Sequence, residues 1–126
     1  MFINFSNHPS TLWDEKQLRA AKEYGSVVDL PFPQVPPTLT REEVLSLAAE
    51  CAEKIIKERP TAVMCQGEWS LCFAVTNALL KRGITVLCAC TERKSYEIQA
   101  DGKTEKSTVF EFKNFRKYSY IEELSK

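Results

Sequence analysis

The chain has one histidine, His8, only four glycines, and no excess of either charge: seventeen lysines and arginines face seventeen aspartates and glutamates. A general polyanion binder needs a basic face to displace counterions, so duplex nucleic acid is not an expected partner. No apolar run approaches the roughly 18 residues of a membrane helix, so no membrane partner is expected either. Met1-Phe2-Ile3-Asn4 lacks the basic and apolar regions of a secretory leader. The cysteine count is odd (Cys51, Cys65, Cys72, Cys88, Cys90) and no C-x-x-C occurs. A disulfide framework is therefore not expected, and the compartment reads as reducing cytoplasm. His8 is far in sequence from every cysteine, no zinc-like spacing occurs, and no metal or other cofactor is expected. The C-x5-R of cysteine phosphatases is missing, because Leu71 and Lys94 stand six positions after Cys65 and Cys88. The cysteines read as small packing residues. G-x-G-x-x-G, the P-loop and G-x-S-x-G are absent as well, which removes support for the common dinucleotide, nucleoside-triphosphate and serine-hydrolase classes.

What remains is an ordinary globular composition, 44% hydrophobic and 27% charged over 126 residues, enough for one domain and one core. Phe2 to Phe5 predicts a first strand, broken by Ser6-Asn7-His8-Pro9-Ser10. Trp13 to Tyr24 has near-helical apolar spacing and stops at Gly25. Ser26 to Leu30 predicts a second strand, and the proline-rich stretch from Pro31 to Pro37 an ordered loop. Thr40 and Glu43 fit a capping box ahead of Val44, Leu47, Ala48, Cys51 and Ile55 on one helical face, ending near Glu58. Thr61 to Cys65 predicts a third strand, Trp69 to Lys81 a helix ended by Gly83, and Ile84 to Ala89 a fourth strand, apolar but for Thr85. Continuous apolar strands suit a sheet covered on both faces. Ser95 to Ala100 and Thr104 to Phe112 alternate around Asp101-Gly102, a strong hairpin signal.

The expected fold is therefore α/β: a Rossmann-like, mainly parallel sheet in the order βαβαβαβ, with a C-terminal β-hairpin. One domain covers 1–126, with an α/β core over 1–93 and the hairpin and terminal strand over 94–120. Ligands in such sheets sit beyond the carboxyl ends of the strands. Those ends carry Ser6-Asn7-His8 and Ser10, Gln66-Gly67-Glu68, and Thr91-Glu92-Arg93. Gly67 either lets a phosphate approach backbone N–H groups at a helix start or makes a tight strand-to-helix turn. His8 can act as acid, base or phosphate donor, or else is a loop hydrogen bonder. Arg93 can grip phosphate bidentately, or can pair with Glu92 at the surface.

In that order, Asn4-Phe5-Ser6-Asn7-His8, Gln66-Gly67-Glu68-Trp69, Cys90-Thr91-Glu92-Arg93 with Glu97 and Asp101-Gly102, and Val109-Phe110 through Phe115-Arg116-Lys117-Tyr118 span nearly the whole chain. The set resembles the small single-domain CRISPR-associated Rossmann-fold (CARF) ring nucleases. The resemblance implies a homodimer that binds a cyclic oligoadenylate second messenger and opens it without metal, ending type III CRISPR signalling. An adenosine 2′-hydroxyl attacks its neighbouring phosphodiester and leaves a 2′,3′-cyclic phosphate. It further implies His8 and Arg93 as catalytic residues, and Ser6, Asn7, Ser10, Gln66, Gly67, Glu68, Trp69, Thr91 and Glu92 as ligand-binding residues. Larger members of that superfamily often carry a glycine pair and a lysine after a strand, where this chain has Gly67 followed by Glu68. The alternatives are a non-catalytic cyclic-oligonucleotide sensor or sponge, and a Rossmann-like interaction protein that binds no nucleotide.

Overall fold

The computed structural model describes residues 1–125. Five strands form one sheet: β1 (Phe2–Ser6), β2 (Val27–Pro31), β3 (Ala62–Cys65), β4 (Thr85–Ala100) and β5 (Lys103–Lys117). Three helices connect the first four: α1 (Glu15–Lys22), α2 (Arg41–Lys57) and α3 (Trp69–Lys81). The strand order is β2-β1-β3-β4-β5, parallel except for β5, which runs antiparallel to β4. This is the 2-1-3-4-5 order of flavodoxin-like doubly wound sheets, and the expected α/β class holds.

Each helix begins where a side chain satisfies its first amides. Asp14 accepts from the Gln17 N–H at the start of α1. Thr40 and Glu43 exchange the reciprocal bonds of the expected capping box on α2. Trp13, counted with the first helix from its spacing, precedes that cap and belongs to the core instead.

The sheet is covered on both faces, as its continuous apolar strands require. Ile3, Phe5, Val63, Cys65 and Val86 pack against Val44, Ala48, Ile55, Leu71, Val75 and Leu79 of α2 and α3. On the opposite face Phe2, Ala62, Met64 and Leu87 pack against Trp13, Ala21 and Phe115. Phe2 meets Trp13 edge-on at 6.1 Å and Phe115 at 5.3 Å between ring centroids.

The hairpin differs from expectation in its extent. The expected fourth strand and the first hairpin arm are one strand, β4, which crosses residue 93 without a break. The sheet therefore has five strands, not four plus a separate hairpin. The apolar pattern that predicts the fourth strand ends at Ala89, because apolar residues give way to Thr91-Glu92-Arg93-Lys94. That change marks where β4 leaves the body of the sheet: its pairing with β3 covers only Thr85 to Leu87, whereas its pairing with β5 continues to Ala100. A bulge between Cys90 and Thr91 sits at this exit. Beyond it a two-stranded ribbon projects, turning at Asp101-Gly102 with both residues at positive φ. At its root Lys94 pairs with Glu111, and Lys113 with both Glu92 and Glu111, at 2.8, 3.3 and 3.1 Å.

Candidate functional site

Strands β1 and β3 are neighbours whose following helices leave to opposite faces, α1 to one and α3 to the other. This is the switch point of a doubly wound sheet, and a crevice opens there beyond the strand ends. Its volume is about 580 Å³, and its lining comes from the β1 end (Ser6, Asn7, His8), the entry to α1 (Leu12, Asp14, Gln17), the β3 end (Met64, Gln66, Gly67) and the β4–β5 pair (Ala89, Thr91, Phe110, Phe112).

A buried polar network fixes the His8 wall. Asn4, only 1% exposed, donates from Nδ2 to the His8 carbonyl at 2.9 Å and to Asp29 Oδ1 on β2 at 3.0 Å. Ser6 Oγ donates to Asn4 Oδ1 at 2.6 Å and accepts from the His8 N–H at 3.1 Å. Trp13 Nε1 also donates to the His8 carbonyl, at 3.1 Å. Asp29 accepts from the Ser10 N–H, tying the next turn to β2. The backbone of His8 is thus held from three sides while its side chain is exposed at the crevice. Ser6 and Ser10 serve this scaffold, Ser6 through its hydroxyl and Ser10 through its backbone.

The β3 wall has equally specific structural work. Gln66 Oε1 accepts from the Ala89 N–H and continues the β3–β4 ladder where main-chain pairing has ended, leaving its NH2 group as a donor at the crevice. A Cβ on Gly67 would stand 2.6 Å from three ring atoms of Phe32. Phe32 is buried against Phe5 at 4.8 Å between centroids, so the glycine is explained by ring packing. Glu68 caps α3: its carboxylate accepts from the Ser70 N–H at 2.7 Å and from the Leu71 N–H at 3.4 Å, and it is bonded to the Ser70 hydroxyl. The Ser70 hydroxyl first, and those amides with it, hold the Glu68 carboxyl below its usual range. The amides that a phosphate would seek at this helix start already have an anion of their own.

Of the residues nominated from sequence, the structure brings Ser6, Asn7, His8, Gln66, Gly67 and Thr91 together around the crevice. Trp69 turns elsewhere, 89% exposed at the α3 surface. Glu92 lies on the far face of the ribbon in its ion pair with Lys113. Arg93 is on the same face as Thr91 by strand alternation, but it lines a separate hollow with Glu97 and Lys106 farther along the ribbon. His8 and Arg93 do not line a common cavity. Sequence reasoning missed Leu12, Asp14, Gln17, Met64, Phe110 and Phe112. Alternation in the second hairpin arm put Phe110 and Phe112 on one face. Only the β4–β5 register, Thr91 opposite Phe112 and Arg93 opposite Phe110, brings that face to the crevice. Gln17 is buried with a long contact from Nε2 to Met64 Sδ, 3.8 Å, so its amide is available at the crevice floor.

The lining mixes apolar side chains with the Gln17 and Gln66 amides and is nearly uncharged. Among the described residues Asp14 is its only carboxylate, and no lysine or arginine lines it. Such a surface suits a flat heterocycle better than a phosphate. Among the described residues no cluster of three or more histidine, cysteine or acidic side chains is placed to hold a metal, and no helix is long and apolar enough to cross a membrane.

The sequence model of the uncharacterized protein MJ1673 family matches residues 1–116. The chain belongs to that family. The match runs from β1 through most of β5, so the switch-point crevice lies wholly inside it. No curated protein and no solved structure matches the chain.

Proposed function

We propose that the crevice between β1 and β3 binds a nucleobase, and that the ligand is a cyclic oligoadenylate held across a homodimer. The observation that carries this reading is the lining. Leu12, Met64, Phe110 and Phe112 supply apolar surface for a purine, and the Gln17 and Gln66 amides with Thr91 supply hydrogen-bonding groups for its edge. A lining without cations among the described residues favours base and ribose at the crevice. Phosphates then lie outward, toward the ribbon face that carries Arg93. A symmetric ring meets the same crevice twice in a two-fold dimer. The resemblance to CARF ring nucleases supplies the ligand class.

Ring opening is the second reading, and His8 favours it. Its imidazole is exposed at the crevice on a turn fixed by Asn4, Ser6 and Trp13, so the ring carries no structural bond of its own among the described residues. Such a group can pass a proton between the attacking 2′-hydroxyl and the leaving oxygen. Arg93 has to reach the phosphate from outside the crevice to stabilise the charge that develops.

The test is incubation with cyclic tetra- and hexa-adenylate in EDTA, followed by chromatography. Retention of intact ring supports binding, and linear products with a 2′,3′-cyclic phosphate support ring opening. If neither ring is bound or cut, the assignment is wrong. His8→Ala separates the two readings: a rate loss of about a hundred-fold with unchanged affinity marks proton transfer, while loss of affinity alone marks a binding contact.

A further inference from the structure

The face of the sheet turned away from the crevice carries a pair of sulfurs. Cys65 ends β3, Cys72 lies in the opening turns of α3, and their Sγ atoms are 3.5 Å apart. Cys65 is sealed in the core, while Cys72 is only partly buried. Cys72 lines an apolar cavity of about 330 Å³ walled by Trp69, Phe73, Leu80, Tyr118 and Tyr120. One thiol is therefore open to small molecules and the second stands directly behind it.

A further group points to this place. Thr76 is 7% exposed and lines the same cavity, and its Oγ1 is buried without a hydrogen-bond partner. A native structure rarely leaves a buried hydroxyl unsatisfied, and this one stands near enough to both sulfurs to favour their thiolates. The Cys65 thiol at 3.5 Å first, and with it the nearby polar groups of Thr76, Gly67 and Tyr118, hold the Cys72 thiol below the usual range against the opposing effect of burial. The same contact with Cys72, together with burial, pushes Cys65 far up. The asymmetry is that of an attacking sulfur and a reserve sulfur.

We propose that Cys72 and Cys65 are a peroxide-responsive dithiol. The Cys72 thiolate attacks one oxygen of a hydroperoxide and breaks the O–O bond. The departing oxygen takes up a proton and leaves as water or an alcohol, and Cys72 becomes a sulfenic acid. Cys65 sulfur then attacks the Cys72 sulfur, the S–O bond breaks, and the proton lost from Cys65 leaves with that oxygen as water. Two thiols lose two electrons in all, and one peroxide is reduced by two. Closing 3.5 Å to a disulfide of about 2.05 Å asks the sulfurs to approach by about 1.5 Å. The bond would close a loop containing Gln66 and Gly67, two residues of the crevice wall, so oxidation on one face is felt on the other.

The experiment treats the reduced full chain with one equivalent of hydrogen peroxide, blocks remaining thiols with iodoacetamide, and digests with trypsin. Cys65 and Cys72 fall on one tryptic peptide, 58–81, because Pro60 protects Arg59. The expected result is that peptide unalkylated and two hydrogens lighter, formed ahead of any change in the peptides carrying Cys51, Cys88 and Cys90. Cys65→Ser should stop at a Cys72 sulfenic acid that dimedone traps, and Thr76→Val should slow its formation several-fold. Earlier oxidation of Cys88 or Cys90, a cross-link between chains, or a sulfinic acid at Cys72 of the wild-type chain overturns the proposal. Because the wild-type chain alone gives that readout, a variant that fails to fold does not decide it.

Discussion

Replacing Gly67 with alanine separates packing from ligand binding at the crevice. The added Cβ meets Cδ1, Cε1 and Cζ of Phe32 at 2.6 Å, nearly 1 Å inside ordinary contact, and the ring is buried against Phe5. Overpacking of this kind costs about 1–3 kcal/mol. For a chain of this length each kcal/mol lowers the melting temperature by about 3–5 °C. Phe32→Leu alone should also destabilise, by leaving a gap at the same place. Combined, the two substitutions relieve each other, so the double variant should be more stable than the sum of the singles predicts, by about 1–2 kcal/mol. Urea unfolding of the four proteins measures the coupling. Strict additivity, or a Gly67→Ala protein of unchanged stability that has lost cyclic oligoadenylate, would return Gly67 to the role of a phosphate-approach glycine.

Two further outcomes follow from the polar scaffolds. Asn4→Ala leaves the buried Ser6 hydroxyl only the longer bond to the His8 carbonyl at 3.3 Å and removes a donor from both that carbonyl and Asp29; it should cost about 1–3 kcal/mol in chemical denaturation and loosen the His8 turn, seen as faster amide exchange at residues 6–10. Hydrogen bonds from Lys94 and then Lys113 hold the Glu111 carboxyl down to about 2, so the ribbon root should keep this stabilisation above pH 4.5 and lose it as pH falls toward 2. The effect should be small and weakened by salt, because these side chains are substantially exposed; an acid-limb thermal melt identical in Glu111→Gln would show that the network does not fix the root.

Local signals made the fold legible. Thr40 and Glu43 marked the start of α2 because both halves of a capping box are sequence-local. The Asp101-Gly102 turn was visible because Asp-Gly suits the type I′ hairpin, which needs positive φ at both positions. The long reach of β4 was not legible, since burial changes along it while backbone pairing does not. The crevice was half legible. Strand ends identified Ser6, Asn7, His8, Gln66, Gly67 and Thr91, but Phe110 and Phe112 arrive through a cross-strand register that no local pattern states. Adjacency in sequence also misled: Thr91, Glu92 and Arg93 are consecutive, and the pleat sends Glu92 to the opposite face. The sulfur pair was hidden for a related reason. A spacing of seven looks arbitrary until a strand end and the following helix fold back on each other.

The projecting ribbon constrains how related chains can differ in length. Past the bulge its residues pair only within the ribbon, so lengthening both arms leaves the core contacts of Phe112 and Phe115 untouched. The pleat nevertheless imposes a parity. Two residues added to each arm keep Arg93 and Phe110 on the crevice side and the Lys94–Glu111 pair on the other, whereas a single residue inserted between Thr91 and Arg93 exchanges the faces for everything beyond it. Length variation within the MJ1673 family should therefore concentrate at the turn and come in even steps along each arm.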